Sequence, residues 1–453
     1  MIEAMRLSQL QAITGGELHG SDAAFSAVST DTRSLQPGDL FVALKGPNFN
    51  GNAFVETAAA KQAGAAVVSE QVNTALPYLQ VDDTRIALGR LGRQVRRQSH
   101  ARIIALTGSQ GKTTVKEMTT AILQQCGAVL STQGNLNNDY GVPLTLLRLQ
   151  PEHEFAVIEM GANAPGEIAY TTALAEPDVA HITCVAPTHV EGFGSLDGVA
   201  TAKSEIWQGL REEGVAVLNL DDGNIMRNFM PRPGLRVVTV SASGKALADY
   251  RIEQLQDRGL AGTAFELQAP QGNASIELAL PGRHNAANAL AAAALALEAG
   301  ATLDHVKRGL QAMHSVKGRL VVKHGLRQAV ILDDTYNASP ASFKAAIDVL
   351  AGQRGIRFVA AGDMGELGPL KVEGHREVGA YAKAAGIEHF YATGPLMQQA
   401  VDAFGVGAVH APDWNALGKL LQPLLRQSVS VLVKGSRSAG MERVVDMLVD
   451  KEG

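Results

Sequence analysis

The chain of 453 residues holds only two cysteines, Cys126 and Cys184. Two cannot build a disulfide framework, and the apolar neighbours of both predict buried free thiols. A surplus of one charge sign is also missing. Lys and Arg total 40 against 45 Asp and Glu, and a net charge of −5 gives no footing for a nucleic-acid or membrane partner. The opening Met1-Ile2-Glu3-Ala4-Met5-Arg6 carries no apolar signal core. The most apolar long stretch, Ala286 to Ala299, is alanine-rich and shorter than a bilayer span, so it reads as a packed helix. No internal repeat or low-complexity segment interrupts the chain. A soluble, cytoplasmic, monomeric protein is the expectation.

What is present starts with a hydrophobic fraction of 46%, enough for real cores, and a length that implies two or three domains. The most informative string is Leu106-Thr107-Gly108-Ser109-Gln110-Gly111-Lys112-Thr113-Thr114. It follows an apolar run, Ile103 to Leu106, that reads as a buried strand, and it opens a helical run from Val115 to about Gln125. A strand, a glycine-rich turn and Lys-Thr at a helix start is the layout of a phosphate cradle. Gly108 and Gly111 permit backbone angles that point successive N–H groups at one anion, and the helix N-terminus adds partial positive charge. Lys112 would reach the outer phosphates, and the Thr113 hydroxyl would sit on a magnesium ion. The usual glycine five residues before Gly111 is replaced by Leu106, so the loop is the shorter G-x-x-G-K-T.

Three regions follow from the pattern. Residues 1–83 read as a small α/β unit with strands at Asp39–Leu44 and Ala65–Ser69 and a helix at Phe54–Ala63. Within it, Ser29, Thr30, Asp31, Thr32 and Arg33 gather hydroxyls, a carboxylate and a guanidinium, which suits a phosphate-bearing ligand or a capped surface turn. Between Arg85 and Arg102 stand six arginines and no acid, with Leu88, Leu91 and Val95 at helical spacing. That favours a solvated helix between domains over a nucleic-acid patch, because nothing aromatic interleaves.

Residues 84–314 contain the phosphate loop. Asn135, Asn137 and Asn138 mark a loop of side-chain amides, either a bland turn or one that orients substrate. Phe155–Ile158 is a strand run ending in Glu159, where a further magnesium ligand belongs beside such a loop. Val179–Val185 is another strand; it leads to His189 in a glycine-bounded loop. Ala200 to Ile206, including Lys203, opens a helix. Residues 236–280 alternate as antiparallel β does. His284-Asn285-Ala286-Ala287-Asn288 starts the Ala-rich helix, with Asn285 as its N-cap and Asn288 in the first turn.

Residues 315–453 alternate strand and helix again, at Ala329–Leu332, Arg357–Ala361, His389–Ala392 and Val429–Val433, as a second doubly wound sheet does. Polar clusters stand at its strand ends, where such folds bind ligands: Asp333 to Pro340, Gly362 to Gly368, and Lys434 to Ser438. The fold class expected is α/β in three domains: a small N-terminal unit, a central P-loop ATPase-like and mostly parallel sheet with an antiparallel addition, and a C-terminal Rossmann-like sheet.

These clusters, in this order, resemble the Mur ligase family of ATP-dependent amide-forming enzymes of peptidoglycan synthesis. The resemblance runs from about Ser29 to Glu442. It implies ATP and two magnesium ions as cofactors. ATP would lie on Gly108, Ser109, Gln110, Gly111, Lys112, Thr113 and Thr114, with Asn288 on the nucleotide, Asp334 on its ribose and Arg319 on its phosphates. Thr113, Glu159, His189 and Lys203 would hold metal, Lys203 as a CO₂-derived carbamate if it is not an ordinary surface lysine. Ser29 to Arg33 would hold a uridine diphosphate end. Strings around Asp334, Asp363 and Lys434 are similar to those of the member that adds D-alanyl-D-alanine to UDP-N-acetylmuramoyl-tripeptide, with Tyr336, Asn337, Lys434, Ser436 and Arg437 facing the dipeptide. Asn50 and Asn52 stand where relatives often carry Asp and His. Rival expectations are a folylpolyglutamate-type ligase, which would lack the separate N-terminal unit, and a nucleotide-dependent switch without ligation.

Overall fold

The computed structural model describes residues 1–46, 49–188, 190–231 and 233–450. Three sheets carry the chain. The N-terminal one has five strands in the order Glu17–His19, Tyr78–Gln80, Ala65–Val68, Leu40–Val42 and Val28–Ser29. All neighbours in it are parallel except the Glu17–His19 edge. The central sheet has nine strands, in the order Val129–Ser131, Phe155–Glu159, Arg102–Thr107, Val179–Ile182, Val215–Asn219, Arg236–Ser241, Tyr250–Asp257, Thr263–Ala269 and Gly272–Leu278. The first seven run parallel, and the last two are each antiparallel to the strand before. The expectation that residues 236–280 are all antiparallel therefore fails for Arg236–Ser241, which pairs in parallel with Val215–Asn219. Polar alternation reports a half-exposed face, not strand direction.

The third sheet orders its strands Val321–His324, Val330–Asp334, Val429–Lys434, Ile356–Gly362, His389–Thr393 and Ala408–Ala411, parallel but for the first. Its two faces bury separate apolar cores, one around Phe343, Ile347 and Phe390, the other around Phe358, Leu417 and Val445. The strands Phe155–Glu159, Val330–Asp334 and Val429–Lys434 are nearly continuous apolar runs because parallel strands covered by helices are buried on both faces.

One core joins the first two units. Leu40, Val67 and Leu79 of the N-terminal sheet pack in the same cluster as Leu88, Leu91 and Val95 of the helix Thr84–Gln98 and Ile103 and Ile158 of the central sheet. The arginines on that helix are not solvated as a group. Arg96 is 4% exposed and donates to the carbonyls of Ala175 (2.8 Å) and Glu176 (3.0 Å). Arg93 and Arg97 both bond the Glu176 carboxylate. The run closes a helix end in the neighbouring layer, since Glu176 is the left-handed C-cap of Glu167–Ala175. Cys126 and Cys184 are free, as expected, but only partly buried. Among the described residues no helix is long and apolar enough to cross a membrane.

Candidate active site

The parallel strand Arg102–Thr107 delivers its carboxyl end to Gly108, and the helix Lys112–Leu123 starts directly after Gly111. Gly108 (φ 148°) and Gly111 (φ 78°) both take backbone angles closed to other residues. Close approach adds a second reason: a Cβ on Gly111 would lie 2.6 Å from Asn288 Oδ1. The polar groups of the loop bond to one another and to the neighbouring strand end. Lys112 Nζ donates to Gly108 O at 2.7 Å, the Thr183 hydroxyl donates to Gln110 O, and Ser109 Oγ donates to Ala186 O at 2.9 Å.

The loop opens on a cleft of about 480 Å³ that lies between the central and C-terminal units. Of the expected nucleotide and metal positions, Ser109 to Thr114, Glu159, Lys203, Asn288, Arg319 and Asp334 all line it; Gly108 lies just behind, under Lys112. His189 lies outside the described residues. Glu159, at the end of its strand and 2% exposed, accepts from Asn137 Nδ2 (2.8 Å) on Oε1, while its buried Oε2 has no partner. Arg319 reaches across from the C-terminal side and donates from Nη2 to Thr113 Oγ1 at 2.8 Å, its guanidinium 4.3 Å above the Tyr336 ring.

Lys203 does not open a helix. It is the penultimate residue of Leu196–Ser204, 2% exposed. Burial first, and the Lys112 ammonium second, push its amine down to about 7. Burial also lowers the Lys112 ammonium; Glu159 opposes that shift and Arg319 adds to it. Asn285 is not the N-cap of Arg283–Glu298. Gly282 is, and Asn285 sits inside the first turn with Nδ2 donating to Pro281 O at 2.8 Å. It in turn accepts from Asn288 Nδ2 at 3.2 Å, which fixes Asn288 toward the phosphate loop one turn further on.

Other expected residues are placed elsewhere or are engaged. Ser29, Thr30 and Asp31 line a second cleft of about 520 Å³ between the N-terminal and central units. Arg33 points into neither cleft and chelates Asp31 (2.6 and 3.0 Å), holding that carboxyl down at about 2. Thr32 offers its carbonyl to Lys61. Asn138 lines the first cleft and Asn135 does not; Asn138 Oδ1 accepts from Gly141 N, capping the next helix. Tyr336 and Asn337 line the cleft. Lys434 also lines it, but its amine is spent on Asp334 Oδ2 (2.5 Å) and Asn337 O (3.0 Å). Ser436 bonds back to Asp363 O at 2.6 Å, and the Arg437 side chain, 72% exposed, faces Glu442. Neither lines the cleft. Asn52 ties the Gly51–Phe54 turn to Ser69, and Asn50 reaches Glu70. Those two departures are thus accommodated by local hydrogen bonds.

Thr183, His284 and Ser339 all stand in the cleft wall; sequence reasoning gave Thr183 no site role and named His284 and Ser339 only as members of longer strings. Ser339 accepts from Gln110 Nε2 at 2.9 Å, a direct tie between the phosphate loop and the C-terminal unit. Burial lowers the His284 imidazole below its ordinary value. Thr183 follows the carboxyl end of a parallel strand, which was the available signal.

Three family models match in series: the Mur ligase family catalytic domain over 24–96, the Mur ligase middle domain over 106–296 and the Mur ligase glutamate ligase domain over 318–437. The chain is 49% identical to a UDP-N-acetylmuramoyl-tripeptide–D-alanyl-D-alanine ligase of Escherichia coli K12 and 43% identical to that of Haemophilus influenzae, each over 98% of both chains. A crystal structure of MurF from Acinetobacter baumannii superposes with a TM-score of 0.91 at 35% identity, covering 98% of each chain. MurF ligase from Thermotoga maritima, in complex with ADP, gives 0.82 at 28% identity over 93% of this chain and 96% of that one. With a three-domain α/β fold in common and identity of this extent along nearly its whole length, the chain belongs to the Mur ligase family.

Proposed function

We propose that the protein is the ATP-dependent ligase that joins D-alanyl-D-alanine to UDP-N-acetylmuramoyl-tripeptide in the cytoplasm, releasing ADP and phosphate. The observation that carries this reading is the meeting of the phosphate loop, Glu159, Lys203 and Arg319 around one cleft, in a chain 49% identical to a ligase of that name.

A carboxylate does not form an amide with an amine unaided. Its oxygen attacks the γ-phosphorus of ATP, ADP leaves, and an acyl phosphate forms. The dipeptide amine attacks that carbonyl, loses a proton, and the tetrahedral species expels phosphate. The protein's part is positioning and charge neutralisation. The Lys112 ammonium and the Arg319 guanidinium both line the cleft at the phosphate loop and would neutralise phosphate oxygens there. Asn288 and Asp334 line the same cleft and would take the nucleoside, and the Ser29–Asp31 cleft would take the uridine diphosphate end. Tyr336 and Asn337 line the cleft and would face the dipeptide.

The donor set fits magnesium. The unpartnered, buried Glu159 Oε2 is a hard oxygen at the right place, and Thr113 presents a hydroxyl. Thr113 and Glu159 would hold one ion, with His189 and carbamylated Lys203 toward a second. When bound, such ions neutralise charge developing on the transferred phosphoryl group. An amine pushed down to about 7 supports the carbamate, because only neutral amine reacts with CO₂.

The test uses tripeptide substrate labelled with ¹⁸O in its terminal carboxylate. One labelled oxygen should appear in the released phosphate, and the product should be heavier by the dipeptide less water. Unlabelled phosphate would exclude the acyl-phosphate route.

A further inference from the structure

The amide loop was expected either to turn blandly or to touch substrate. Its central residue does something else. Asn137 Nδ2 donates to Glu159 Oε1 at 2.8 Å; the direction is fixed because an ionised carboxylate only accepts. Asn137 is itself held on both sides. Its carbonyl accepts from Gly161 N at 2.8 Å, its own N–H bonds Asn135 O at 2.8 Å, and its amide lies flat against Gly161, where a Cβ would come within 3.1 Å of Asn137 Cγ. The Glu159 backbone is fixed independently: its N–H donates to Thr132 Oγ1 at 3.0 Å, and the buried Lys116 donates to Thr132 O at 2.7 Å. One carboxylate oxygen is therefore tied, and the other is buried without a hydrogen-bond partner, on a residue that lines the cleft and whose charge acts on Lys112 of the phosphate loop.

We propose that Asn137 is a positioning residue: it locks the Glu159 carboxylate through Oε1 so that a single oxygen, Oε2, stays unpaired, and thereby sets the affinity of this site for a divalent cation. This rests on the reading of Glu159 as a cation ligand. Ligand-orienting partners of this kind typically contribute about 10- to 100-fold in metal affinity. An amide suits the task better than a cation would, because it holds one oxygen without neutralising the charge that the metal needs.

The experiment titrates Mn²⁺ into the full-length protein with saturating ADP and reads the loss of the free-ion EPR signal. Asn137→Ala should raise the Mn²⁺ dissociation constant about tenfold and leave KM for the sugar nucleotide unchanged. Gly161→Ala, which pushes the Asn137 amide without altering either partner, should shift it the same way and carries the test if Asn137→Ala does not fold. Glu159→Gln separates the two levels. If Glu159→Gln weakens Mn²⁺ binding and both other variants leave it intact, the positioning role is overturned alone. If Glu159→Gln also leaves it intact, the cation reading falls and takes this inference with it. A raised sugar-nucleotide KM at unchanged Mn²⁺ affinity would make Asn137 a substrate contact instead.

Discussion

Arg319 Nη2 donates a 2.8 Å hydrogen bond to Thr113 Oγ1, joining the start of the C-terminal unit to the first turn of the phosphate-loop helix. The hydroxyl that would face a cation is thus held by a guanidinium from another unit, with the Gln110–Ser339 bond beside it.

Arg319→Lys keeps the charge and loses the planar fork and its stacking on Tyr336. It should lower kcat/KM for ATP by about 100-fold, roughly 2.7 kcal/mol of transition-state stabilisation, with an unchanged melting temperature. Steady-state kinetics beside thermal melts check this; a fall below threefold would remove Arg319 from the phosphate path.

Lys203 titrates in a buried site, so its pH signature has a definite sign. With the folded value lowered from 10.5 to about 7, the folded protein carries the cost of a buried ammonium in full below about pH 7. That cost fades as pH rises toward 10.5, because the unfolded chain then binds more protons than the folded one. Lys203→Met should therefore be more stable than the parent at pH 6, with the gap shrinking at pH 9. Denaturation midpoints at both pH values measure it. In ¹³C-bicarbonate, a carbamate carbon resonance should appear for the parent and be absent in the variant.

Buried Lys434 and partly buried Asp334 form an ion pair at 2.5 Å. Lys434→Ala would leave a partly buried carboxylate with the Leu320 N–H as its hydrogen-bond partner, a loss of about 2 kcal/mol. Asp334→Asn with Lys434→Met should recover part of that stability while nucleotide affinity stays low. Chemical denaturation and nucleotide titration separate the two effects.

Arg96→Ala should cost about 2 kcal/mol by orphaning two carbonyls at a helix end, without changing KM for any substrate. A variant as stable as the parent would contradict the structural role of the arginine run.

Much of this architecture was legible because parallel strands write themselves as short apolar runs: Arg102–Thr107, Phe155–Glu159 and Val429–Lys434 could be found within a residue or two. The phosphate loop was legible because two glycines and Lys-Thr have few other uses in that order. Strand direction was not, and Arg236–Ser241 was misassigned because its pairing partner lies in another segment. The Ala-rich helix began earlier than expected, since Gly282 at φ 94° caps it without a side chain. Least legible were side chains that bond each other instead of a ligand. Asn137 with Glu159 and Lys434 with Asp334 are 22 and 100 residues apart, and only the fold introduces them.

Phosphate release from ATP and magnesium, with UDP-N-acetylmuramoyl-tripeptide and D-alanyl-D-alanine supplied singly and together, tests the central claim most directly. Release that requires both, stoichiometric with the joined product, is the result expected of a dipeptide-adding ligase. Release that proceeds at the same rate without the dipeptide would contradict it.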